Sequence, residues 1–141
     1  MFLLVSINTV LVALAVIIHY EFLRMLSVWL PKLKIPLRPR IVVGIFGAMI
    51  AHVIEIWLFA FAFYFMLESR QFGSFGGNFD GSLLDCSYFS FTTYTSLGFG
   101  DIEPLGQIRF LVALEALTGL VLITWTASFM FLEMTKFWKD K

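Results

Sequence analysis

Three long apolar stretches constrain this chain more than any other feature: residues 2–23, 41–67 and 108–134. Residues 2–18 carry no charge, and extended to Leu23 the run reaches the roughly 20 residues that cross a bilayer as a helix. Hydrocarbon offers backbone amides and carbonyls no partner, so such a segment must satisfy them internally, as a helix does. Composition agrees, at 60% hydrophobic and 14% charged with a mean hydropathy of +0.88; a soluble domain would carry about 25% charged residues. Net charge is zero, and no basic face suggests a nucleic-acid partner. The single cysteine, Cys86, allows neither an intrachain disulfide nor a thiolate metal cluster, and we expect it to be a packed, inert thiol. The expected fold is an all-α membrane protein with no second domain.

The first stretch lacks a basic leader and a small-residue cleavage pattern, so residues 1–23 are expected to stay as a transmembrane helix. Residues 24–40 form a basic connector with Arg24, Lys32, Lys34, Arg38 and Arg40, and Pro31, Pro36 and Pro39 predict that no continuous helix runs through it. The second span, 41–67, begins with the small-xxx-small pairs Gly44/Ala48 and Gly47/Ala51, which permit close helix contact, and ends in aromatics. Residues 68–82 are glycine-rich and polar, an exposed loop, and a turn around Pro104 and Gly106 precedes the third span, 108–134. Five basic residues fall in the connector and three in the tail 135–141; Arg70 and Arg109 account for the other two. The positive-inside rule then makes connector and C-terminus cytoplasmic and the N-terminus external, in a multi-pass protein of the plasma (bacterial inner) membrane.

Between the second and third spans, Ser82 and Asp85 mark a helix start, and residues 83–93 form a helix too short to cross. It leads into Thr95-Ser96-Leu97-Gly98-Phe99-Gly100-Asp101, so the segment must enter and leave the same face. A cation crossing a membrane must exchange its water shell for oxygen ligands, and consecutive backbone carbonyls serve if alternate residues adopt the left-handed region. Gly98 and Gly100 supply that freedom, and Ser96 adds a hydroxyl. Phe99 is expected to pack as a spacer against the short helix, whose carbonyl end at Thr93 would face a waiting cation. Asp101 stands outside, to attract cations or brace the filter. One loop per chain requires several copies to close a ring.

Ser96-Leu97-Gly98-Phe99-Gly100-Asp101, preceded by Thr95, resembles the potassium-channel signature Thr-Val-Gly-Tyr-Gly-Asp, and Tyr88-Phe89-Ser90-Phe91-Thr92-Thr93 resembles the pore helix of bacterial and two-pore-domain potassium channels. Arg109 and Gly119 match the arginine that begins the inner helix and the glycine hinge midway along it. The resemblance covers 41–134: outer helix 41–67, pore helix 83–93, filter 95–101, inner helix 108–134, with residues 1–23 as an added helix. It implies a homotetramer in which carbonyls from Ser96 to Phe99 and the Ser96 hydroxyl bind dehydrated potassium, with no other cofactor. It also implies that Glu115 contacts the back of the pore helix as a brace, alongside Asp101 and Thr92, and that Gly119 is a candidate gating hinge. Ser96, Leu97 and Phe99 replace the family's threonine, valine and tyrosine; the first touches the ion.

His52 and Glu55 lie on one face of the second span, where ionisable groups are costly and mark function by default. They are candidates for a proton or divalent-metal sensor that biases gating, with His19 and Glu21 as further ligands, or else a structural polar contact in which Glu55 is neutral or bonds a neighbour such as Glu115, Thr92 or Thr93. Thr118, Thr124, Thr126 and Ser128 could line an inner cavity or bond their own backbone. The first helix, with Asn8 and Thr9, reads as a peripheral scaffold. The expected function is a tetrameric, potassium-selective channel in contact with membrane lipid, not an enzyme; the alternatives are a non-selective monovalent cation channel and a metal-binding membrane protein using His52 and Glu55.

Overall fold

The computed structural model describes residues 2–138. Its helices are α1 (Phe2–Trp29), α2 (Leu37–Ser69), α3 (Leu83–Tyr94) and α4 (Ile108–Trp138), with a short 3-10 turn at Leu30–Lys32 and strands β1 (Gly73–Gly77) and β2 (Ile102–Gly106). Among the described residues, three helices are long and apolar enough to cross a membrane, in the ranges Phe2–Lys32, Arg38–Ser69 and Ile108–Lys136. At 28, 33 and 31 residues, α1, α2 and α4 are about 40–50 Å long at 1.5 Å per residue. They exceed the hydrocarbon thickness and must tilt or protrude.

Several helix ends differ from the sequence expectation; α2 runs to Ser69, α3 to Tyr94 and α4 to Trp138. Helix α1 continues past Leu23 to Trp29, because Arg24 pairs with Glu21 on its exposed face and no proline intervenes before Pro31. Helix α2 starts at Leu37 rather than 41, since Pro39 falls in its first turn, where a missing amide leaves no helical bond unmade. The connector is therefore only a few residues long. At Gly47 α2 runs close against α1: a Cβ there would stand 2.6 Å from the Leu26 side chain.

The loop 68–82 and the turn at Pro104 contain the largest departure. Strands β1 and β2 pair antiparallel, from Gly73 opposite Gly106 to Gly77 opposite Ile102. Glycines hid this ribbon, because Gly-Ser-Phe-Gly-Gly shows neither β-branched residues nor alternation. They are nevertheless required: Gly73 has φ +135, and a Cβ there would overlap the carbonyl oxygen of Leu105. Beyond the ribbon, the Asn78 amide donates to the Asp101 carbonyl at 2.8 Å and the Ile108 amide to Phe72 at 2.8 Å.

Helix α3 is seated among the spans. Ser82 caps it, its hydroxyl accepting the Asp85 amide at 3.0 Å. The core around it joins Phe59 and Phe63 of α2 with Phe89 of α3 and Leu111 and Leu122 of α4, and the Phe75 ring of β1 lies 4.4 Å from that of Phe89. Cys86 is fully buried there.

Candidate functional site

The segment after α3 is held by the helix itself. Amides of Leu97 and Gly98 both donate to the Thr92 carbonyl, at 2.8 and 3.0 Å, the Ser96 amide donates to Thr93 at 2.9 Å, and the Thr95 amide to Phe91 at 3.3 Å. The carbonyls that close α3 thus accept amides of the following loop. Thr92 braces through its backbone, while its hydroxyl donates to the Phe89 carbonyl.

Along residues 96–100 the backbone alternates. Ser96, Gly98 and Gly100 have φ of +58, +50 and +76, whereas Leu97 and Phe99 lie at negative φ. Alternation between left- and right-handed conformations turns successive carbonyls toward one side. Ser96 holds its conformation without being glycine, at a cost of about 1–2 kcal/mol. Residues 95–101 are all exposed on the single chain. Phe99, 64% exposed, does not pack on its own α3 as expected: within one chain nothing covers that face.

At the far end of the loop, the Tyr88 hydroxyl donates to Asp101 at 2.8 Å. That bond to a carboxylate raises the Tyr88 pKa above the ordinary phenol value. Behind the loop, Glu115 is fully buried and accepts the Ser90 hydroxyl, which also lies 2.8 Å from the Ile56 carbonyl. One turn further along α4, Gly119 abuts the backbone of Tyr94, whose carbonyl oxygen fills the space of a Cβ. Glu115 and Gly119, four apart, thus meet Ser90 and Tyr94, also four apart.

The polar residues of α2 do not contact Glu115, Thr92 or Thr93, which corrects the partners expected for Glu55. Glu55, fully buried, instead accepts the Tyr94 hydroxyl and faces His19 Nδ1 at 3.0 Å and His52 Nδ1 at 3.3 Å. Thr126 Oγ1 of α4 lies 3.0 Å from His52 Nε2 and 3.3 Å from His19 Nε2. Helix α1 is therefore no peripheral scaffold, since it contributes His19 to the interior. Glu21 takes no part and pairs with Arg24 outside. Thr118, Thr124 and Ser128 donate to their own helix. Tyr88, Tyr94 and Thr126 were missed as partners, because their contacts span 13, 39 and 74 residues. The aromatic run around the two tyrosines was the only signal.

Three apolar helices with a short fourth entering between them, its end folded into a loop of alternating handedness, define a multi-pass membrane protein of the pore-loop class. A family model described as an ion channel matches residues 41–136, and the chain belongs to that ion-channel family. This agrees with the resemblance to potassium-channel pore domains. No curated protein and no solved structure gives a significant match.

Proposed function

We propose that four copies of this chain form a potassium-selective channel that conducts passively across the plasma membrane, with the N-terminus outside and the C-terminus in the cytoplasm. The observation that carries this reading is the alternation at Ser96, Gly98 and Gly100, anchored by the two amides on the Thr92 carbonyl. Carbonyls of Ser96 to Phe99 and the Ser96 hydroxyl would replace the water shell of potassium, which is the only bound species the reading needs. Thr95 and Gly100 bound the filter, Asp101, Glu115 and Thr92 brace it, and Gly119 fixes the inner helix against it.

The tetramer follows from one loop per chain and from the exposed Leu97 and Phe99, at 59% and 64%, which a neighbouring copy would cover. Purified protein in liposomes should pass potassium in preference to sodium, and Gly100→Asp should abolish the flux; equal flux in wild type and variant would sink the reading. A second reading, a non-selective monovalent cation channel, is favoured by Ser96, a smaller side chain than threonine at the innermost ion position. A reversal potential in mixed potassium and sodium separates the two: displacement toward potassium equilibrium supports selectivity, and a value near zero supports the alternative.

A further inference from the structure

The geometry points to a divalent transition-metal site of the zinc class, formed by His19, His52, Glu55 and Tyr94 and fastening the end of α3 to α1 and α2. Ligand atoms of the two histidines and Glu55 all lie within 4.8 Å of one another. Tyr94 adds its oxygen 2.9 Å from His52 Nδ1. A tetrahedral site with bonds of about 2.0–2.1 Å has ligand–ligand edges of about 3.3–3.4 Å. Three of the six edges, 3.0 Å from His19 Nδ1 to Glu55 Oε1, 3.3 Å from His52 Nδ1 to Glu55 Oε2 and 2.9 Å from His52 Nδ1 to Tyr94, are within a few tenths of that, while the Tyr94 hydroxyl and Glu55 Oε2 stand in hydrogen-bond contact.

Proton counting argues for a cation at this point. Thr126 has one hydroxyl proton and faces Nε2 of both imidazoles. It can donate to only one of them, so the other must donate from Nε2. If neutral, that imidazole aims an unprotonated Nδ1 at the Glu55 carboxylate. Lone pairs opposed at about 3 Å repel, and burial removes the water that would otherwise separate them. The hydroxyl oxygen has two lone pairs and can accept both Nε2 groups, which leaves both Nδ1 atoms free to ligate. Fixing one imidazole nitrogen by an outer hydrogen bond is how metal-binding histidines are oriented. One added proton would relieve the single opposed nitrogen–carboxylate pair; a divalent ion would do so while engaging all the converging donors at once. Imidazole nitrogen and carboxylate oxygen are both zinc ligands. His19 and Glu55 are fully buried, and His52, with 16% of its side chain exposed, offers the way in.

The metal site stands on this geometry alone; its effect on conduction rests on the channel reading. Tyr94 is the last residue of α3, two before Ser96, so occupancy would hold the helix end from which the filter amides hang. The test uses intact purified protein, stripped with chelator and titrated with Co²⁺, with bound Zn²⁺ measured by elemental analysis. Expected are one metal per chain, the intense visible absorption of tetrahedral Co²⁺, and a loss of absorption in Glu55→Gln. Thr126→Val should weaken affinity by about 10–100-fold, as loss of an orienting partner does. A wild-type protein that keeps its oligomeric state and shows neither absorption nor stoichiometric metal overturns the proposal, whatever the variants do. Potassium flux is read separately: absent flux with metal bound would count against the channel reading and leave the site standing.

Discussion

The carbonyl oxygen of Tyr94 fills the space that a Cβ on Gly119 would need. The inner helix α4 can therefore approach the end of α3 only with glycine at this position. The requirement is one of contact, and α4 runs unbroken through Gly119.

Gly119→Ala distinguishes contact from flexibility by its sign. Helix propensity alone would raise stability by about 1 kcal/mol, whereas overpacking against backbone costs about 1–3 kcal/mol. We expect lower thermal stability of the oligomer and reduced potassium flux, measured on the same preparation.

At Gly98 crowding is absent from the single chain: nothing lies within 4 Å of an added Cβ. The φ of +50 is what disfavours an L side chain, at about 1–2 kcal/mol. Gly98→Ala should abolish flux, while D-alanine at the same position should preserve it.

Ser96 bears the same strain with a hydroxyl attached. Ser96→Gly should raise thermal stability by up to about 1 kcal/mol as the left-handed conformation becomes unstrained, and should lower potassium preference through loss of the hydroxyl ligand. Thermal unfolding and a bi-ionic reversal potential read the two effects apart.

Ser90 and Glu115 form a buried pair across α3 and α4. Ser90→Ala leaves a buried carboxyl group without its hydroxyl donor and should cost about 1–3 kcal/mol. Combined with Glu115→Leu the loss should be smaller than the sum of the single changes, a coupling that a double-mutant cycle on oligomer stability would measure.

The Tyr88 bond to Asp101 gives a pH dependence whose sign is fixed. Because the folded phenol titrates above its ordinary value of 10.0, its contribution is complete below that pH and is lost as pH rises through the higher folded value. Wild type should exceed Tyr88→Phe in stability by a constant margin from neutral pH to about 10, and the difference should shrink above it. A margin that closes below pH 8 would contradict the assignment.

Much of this architecture is legible in the chain because hydrocarbon demands long apolar helices, and because α3 is too short to span. Gly98 and Gly100 announced their backbone freedom, and Ser82 with Asp85 announced the start of α3. The left-handed Ser96 was hidden, since serine carries no conformational signature. Hidden too was the convergence of His19, His52, Glu55, Tyr94 and Thr126, which lie on four helices and share no local pattern. The ribbon escaped because its residues were chosen for close backbone approach, which reads as loop.

That ribbon has a consequence for assembly of the chain. Pairing Gly77 with Ile102, and Asn78 with Asp101, cinches residues 78–101 into a closed noose that contains all of α3 and the loop after it. Closing it carries an entropic cost that grows only slowly with loop length. Each chain thereby ties off the loop after α3 at its Asp101 end on its own, with no contact from a neighbour required.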